Sequence, residues 1–263
     1  MLKTMIISAA LSGIAFSGVK SGHAEAELLA ATEDYAAGQP LQLGIRLKMD
    51  EGWHSYWVNP GDGGMEMSVD WTLPEGWKAG PLQYPVPIRF MTGDLPGFGY
   101  EDEVVLPVRL TPAVGASGPA TIRVALSWLT CSDSACVPGS ADLELVLAHG
   151  AGKATGNPAI SAALDQLPEK LEGAALEVTT QEKMAILKVS LPGSLDATGC
   201  TVYPATPEVL DIGKVIKLRK SDGGWEAEVP LHEYATGAPS KLDLVLTGGN
   251  LSRPLLLQWS SEP

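Results

Sequence analysis

The chain has 263 residues, 31 acidic side chains against 18 basic ones, and a formal charge of −13. That balance excludes nucleic acid and anionic lipid as partners, because both need a basic surface to offset phosphate charge. The length exceeds one small domain and fits two of the common size, about 100 to 150 residues each.

The first 26 residues read as a secretory signal. Lys3 opens it, an apolar run over residues 5–16 follows, and Gly22-His23-Ala24 or Ala24-Glu25-Ala26 supplies small residues for cleavage. The run is shorter than the ~20 residues of a spanning helix. Export without membrane insertion after cleavage is therefore expected, and cysteines in such a compartment can pair and stay paired.

Short alternating runs come next. Leu41, Leu43, Ile45, Leu47 and Met49 alternate with mostly polar residues, as do Ile122, Val124, Leu126 and Trp128, which is the period of strands with one buried face. Residues 104–110 and 143–147 are further strands, while Pro and Gly gather at residues 59–64, 73–87 and 96–99 as turns. An immunoglobulin-like antiparallel β-sandwich over residues 27–149 accounts for this pattern. A Gly- and Ala-rich break then leads to Asn157-Pro158, an N-cap with proline in the first turn, so residues 150–168 read as a linker with a short helix. Strand patterns resume at residues 176–180, 185–191, 200–203, 225–231, 242–246 and 255–259. The expected fold is all-β, with a second sandwich over residues 169–263.

Two of the three cysteines, Cys131 and Cys136, are separated by four residues in a Ser/Asp/Ala turn. That spacing cannot cross a sandwich, so it excludes the usual inter-sheet bridge and leaves a local one. A local disulfide needs Cα atoms within ~7 Å, which the turn permits. It would constrain little chain, contributing about 2 kcal/mol. Spacing alone leaves a structural staple and an exchangeable redox bond both open. No basic residue lies between Arg123 and His149 to lower a thiol pKa, and Asp133 opposes ionisation.

Gly52-Trp53-His54-Ser55-Tyr56-Trp57-Val58-Asn59-Pro60-Gly61-Asp62, Asp70-Trp71, Leu73-Pro74, Tyr84-Pro85, Gly99-Tyr100-Glu101 and the segment 131–139 resemble the periplasmic N-terminal part of DsbD and ScsB proteins. The resemblance covers residues 28–147. It implies a periplasmic thiol:disulfide exchange module, a protein-disulfide reductase in activity, with Cys131 and Cys136 as the redox pair and no cofactor. Electrons would come from a membrane transporter of DsbD/CcdA type or a thioredoxin-fold protein and pass to periplasmic disulfide proteins. Cys136 would be the attacking thiol. The resemblance also implies an aromatic cap over the pair, at residues 89–99: Phe90 is the first candidate, Met91 and Phe98 are rivals, and Tyr56 and Tyr100 match aromatic positions near the cysteines.

Two other readings stand beside this one. The short disulfide could stiffen a non-catalytic binding or assembly module. Alternatively, His54, Met65 and Met67 with the cysteines suit Cu(I) in ligand type, in keeping with the copper tolerance associated with ScsB-like proteins, although no compact ligand spacing joins them and no metal site is assigned. Five of seven tryptophans lie in the first half, as an aromatic frame or as core packing. Cys200 shares a strand face with Val202 and reads as an inert buried thiol.

Overall fold

The computed structural model describes residues 18–261; the apolar run of the expected signal lies outside them. Strand makes up 54% and helix 3%. The first half contains β1 (Val19–Ser21), β2 (Ala24–Ala30), β3 (Asp34–Tyr35), β4 (Leu41–Met49), β5 (His54–Gly61), β6 (Ser68–Thr72), β7 (Lys78–Leu82), β8 (Ile88–Thr92), β9 (Leu95–Glu101), β10 (Glu103–Thr111), β11 (Ala120–Cys131) and β12 (Cys136–His149). One sheet has the order β1-β2-β4-β10-β7, the other β3-β12-β11-β5-β9-β8 with β6 also paired to β11.

Alternation builds the core between these sheets. Leu43, Ile45 and Leu47 of β4 are fully buried, and across from them Ile122, Val124, Leu126 and Trp128 of β11 are exposed by 3% or less. The β11–β12 hairpin keeps its register from Ala120 opposite Leu147 to Cys131 opposite Cys136. Three expected turns are corrected. Residues 59–61 extend β5, residues 78–82 form β7, and residues 96–99 lie within β9. Glycine in β9 serves close packing rather than a bend, as the site shows below.

Helix α1 (Pro158–Asp165) forms where Asn157 caps it, its side-chain oxygen accepting from the N–H groups of Ala159 and Ile160. Its buried face, Ile160 and Ala163, packs on Val105 of the first sandwich. The second half follows with β13 (Ala175–Gln181), β14 (Met184–Ser190), β15 (Thr201–Pro204), β16 (Arg219–Ser221), β17 (Gly224–Pro230), β18 (Lys241–Thr247) and β19 (Leu255–Ser260). They form sheets β13-β14-β17-β16 and β15-β18-β19. Ala185 and Leu187 face Leu242, Leu244 and Leu246 in a second core, all five fully buried. The fold is therefore two immunoglobulin-like antiparallel sandwiches.

The two halves also share apolar surface. Tyr203 of β15 meets the rings of Trp57 and Phe98 edge-on, and Ile212 and Val245 join the same buried cluster. Polar contacts line that seam: Asn59 Nδ2 donates to the Pro204 carbonyl at 2.8 Å, and His232 Nε2 lies 3.1 Å from the Asp62 carboxylate. Arg89 of β8 donates to the carbonyls of Ile212 and Lys214, with its guanidinium 4.9 Å from the Phe98 ring centre. The second sandwich thus grips the base of the β8–β9 hairpin.

At the N-terminal end, β1 and β2 form a hairpin on the first sandwich. Ala24 and Ala26 are fully buried. The Gly22 carbonyl accepts from the Thr130 hydroxyl, and the Ser140 N–H donates to the Ser21 hydroxyl at 3.2 Å.

Candidate functional site: a hairpin disulfide under an aromatic cap

Cys131 ends β11 and Cys136 begins β12; a disulfide joins them with Cα atoms 4.1 Å apart. The intervening turn is closed by the Ser132 N–H donating to the Ala135 carbonyl at 2.8 Å. The two sulfurs have unequal surroundings. Cys131 is completely buried, whereas Cys136 is exposed.

Strand β5 and the β8–β9 hairpin cause that difference. His54 stands opposite Cys131 in the ladder, and Tyr56, two residues on, faces the same side. The Tyr56 hydroxyl donates to Cys131 Sγ at 3.0 Å. Phe90 of β8 then lies across the β9 backbone. A Cβ added at Gly97 or Gly99 would come within 2.8 or 2.9 Å of its ring, so only glycine at both positions lets the ring lie this low. Phe90 sits 3.8 Å from the His54 ring centre and 5.6 Å from that of Tyr56, and Tyr56, Phe90 and Cys131 form one buried cluster with Leu129 at its edge. The cap is a sheet edge folded over a disulfide.

The other expected cap residues fall elsewhere. Phe98 is fully buried in the sandwich interior, and Tyr100, also in that core, donates its hydroxyl to the Pro85 carbonyl at 2.8 Å. Alternation along β9 explains both corrections: Gly97 and Gly99 share the cysteine face, which turns Phe98 and Tyr100 inward. Met91 is 51% exposed and points away from the buried cluster. The copper ligands do not gather, since Met67 is a core residue and Met65 is exposed. Among the described residues no three His, Cys, Asp or Glu side chains cluster as a metal site. Trp57 and Trp128 are core. Cys200 precedes its strand and is half-buried, with Sγ 3.4 Å from the Gly248 carbonyl; burial and Asp196 push its thiol pKa up.

Sequence reasoning missed the environment of the pair in one respect. The site is not without a titratable base, because the fold brings His54 to it. His54 is buried, with Nε2 3.0 Å from the Thr92 hydroxyl. Burial lowers its pKa from the ordinary 6.5, and the nearby Asp133 carboxylate pulls partly the other way. Thr92 is also a hydrogen-bond partner of Tyr56, whose own pKa burial raises. The signal was legible as His54 two residues before Tyr56, a strand-face pair, but its tie to residue 92 was not.

An immunoglobulin-like sandwich that carries an asymmetric hairpin disulfide beside an aromatic ring is chemically suited to thiol:disulfide exchange. Comparison with known proteins agrees. The family described as thiol:disulfide interchange protein DsbD, N-terminal, matches residues 25–148. In fold, the whole chain is similar to the N-terminal periplasmic domain of ScsB from Proteus mirabilis, with a TM-score of 0.65 and 19% identity over 90% of this chain and 93% of that one. The YadV chaperone aligns with a TM-score of only 0.22 and 9% identity, over 89% of this chain and 98% of that one. No curated protein matches in sequence.

Proposed function

We propose that the chain is a periplasmic protein-disulfide reductase module in which Cys131 and Cys136 cycle between disulfide and dithiol. The unequal exposure of the two sulfurs supports this reading most directly. An incoming thiolate reaches Cys136 Sγ first, the S–S bond breaks, and its electron pair passes to Cys131. In the reverse half-cycle the Cys136 thiolate attacks a substrate disulfide, and Cys131 resolves the mixed disulfide. The Phe90 flap shields the bond until a partner displaces it. The electron source is a membrane transporter of DsbD/CcdA type or a thioredoxin-fold protein, and the acceptors are periplasmic disulfide proteins; the likeness of residues 25–148 to the family supports this reading. Among the described residues no helix is long and apolar enough to cross a membrane.

Export begins with a signal that ends earlier than residue 26. Cleavage there would remove β1 and the Gly22 turn that bonds Thr130, next to Cys131. Ala15 and Ser17 offer the small-residue pattern just before Gly18.

Trapping tests the function. A Cys131→Ala variant, left with exposed Cys136 and no resolving thiol, is expected to accumulate mixed disulfides with partner proteins in cells, visible as bands that reductant abolishes. If neither Cys131→Ala nor Cys136→Ala retains a partner, the exchange reading fails. A reduction potential well below about −300 mV would instead point to a structural staple.

A further inference from the structure

Resolution of a mixed disulfide requires a thiolate at Cys131, and Cys131 is the sulfur that water does not reach. A buried thiol resists ionisation, so the proton must leave through the protein. Three side chains form a connected path from that sulfur. The Tyr56 hydroxyl is 3.0 Å from Cys131 Sγ, Thr92 bonds Tyr56, and the Thr92 hydroxyl is 3.0 Å from His54 Nε2. The path runs between two strands distant in sequence, and none of its members serves the sandwich core.

We infer that His54, acting through Thr92 and Tyr56, is the proton acceptor and donor for the Cys131 thiol. The inference deepens the exchange function and rests on it. In the resolving step the Cys131 S–H proton moves to the Tyr56 oxygen, the Tyr56 proton to Thr92 Oγ1, and the Thr92 proton to unprotonated His54 Nε2. The Cys131 electron pair forms the bond to Cys136 Sγ. The bond from Cys136 to the substrate sulfur breaks, and the substrate leaves as a thiolate with that bond's electron pair. His54 afterwards returns the proton to solvent. When the disulfide is reduced, the same path runs backwards and protonates the Cys131 thiolate as it is released.

The surroundings of the imidazole suit this task. In the closed site Phe90 covers one side of it, and in the mixed disulfide the docked partner takes that place, so that exclusion of water keeps the ring neutral and ready to accept. The charged groups near it are Asp133 of the β11–β12 turn, which stabilises the protonated ring, and Glu101, its ladder partner on β9. Tyr56 is the titratable neighbour on its own strand, and Thr92 and Phe90 face it from β8. Tyr56 touches the reacting sulfur; His54 and Thr92 act through it.

Reaction of the fully reduced protein with 5,5′-dithiobis(2-nitrobenzoate), with every chain carrying Cys200→Ser to remove the third thiol, separates the steps. Attack by Cys136 releases one thionitrobenzoate, and resolution by Cys131 releases the second. In the wild type the second phase is expected to slow as pH falls through the depressed pKa of His54. In His54→Gln and in Thr92→Val, which leaves the imidazole in place, the second phase should slow at least roughly tenfold and lose that pH break, while the first phase keeps its rate. An unchanged second phase with an unchanged pH profile in both variants overturns the relay, as does an equal slowing of both phases. If the reduced wild type releases no second thionitrobenzoate, the exchange function itself falls, which is a separate result.

Discussion

The two sandwiches use the same strand grammar to different ends. Each buries alternating aliphatic residues between antiparallel sheets, and each contains cysteine, yet among the described residues only the first carries a disulfide. Cys200 of the second sandwich sits at a strand start against a carbonyl, with burial and Asp196 raising its pKa. In the first sandwich the hairpin β11–β12 ends in a cysteine pair, β5 supplies His54 and Tyr56 beside it, and β8–β9 folds Phe90 across the top. The architecture is thus shared, and what sets the first sandwich apart is the group of side chains that β5 and β8 place around a hairpin disulfide. The second sandwich contributes from outside, by holding Arg89 at the base of the flap.

The sharpest way to break this comparison is to remove the thiols in turn. Cys136→Ala is expected to abolish disulfide exchange, while Cys200→Ser leaves its rate unchanged, as read by thionitrobenzoate release from the reduced protein. Comparable losses in both variants would mean that the halves are not functionally distinct.

A smaller effect is expected from the flap. Phe90→Ala should raise the rate at which a small thiol reduces the oxidised protein by roughly tenfold or more, since burying a phenyl ring holds the flap by about 1.5 to 3 kcal/mol. Arg89→Ala, which frees the hairpin from the second sandwich but leaves the ring, should raise it several-fold less than that. Equal rates for wild type and Arg89→Ala would show that the second sandwich has no hold on the site.

The smallest effect concerns pH. His54 has a folded-state pKa below its ordinary 6.5, so below that pH the unfolded chain binds more protons than the folded one. Folding stability should fall as pH drops from about 6.5 to the folded-state value and then level off, while above 6.5 this group has no effect. Urea unfolding of wild type and His54→Gln at several pH values isolates that contribution. Parallel curves across the acidic range would place His54 in an environment no different from water.

Much of this was legible in order along the chain. Alternation located the strands that carry the cores, the Asn157-Pro158 pair marked the helix, and four residues between Cys131 and Cys136 compelled a hairpin bridge, since each of these depends on neighbours within a few positions. Residues 96–99 were misread because glycine was taken for a turn, when its use is to leave room for the Phe90 ring. The same strand's alternation separated Phe98 and Tyr100 from the cysteines once its pairing was known.

What the sequence determined by itself is the strand inventory, the all-β class and the local pairing of Cys131 with Cys136. Only the tertiary structure decided that Cys131 is the sealed sulfur and Cys136 the open one, that His54 reaches Thr92 across 38 positions, and that Arg89 ties the flap to the second sandwich. The physical reason is that periodicity records which face of a strand is buried, whereas burial of one sulfur, and a hydrogen bond to it, depend on which strands lie side by side. That register is set by pairing between distant segments and leaves no local mark.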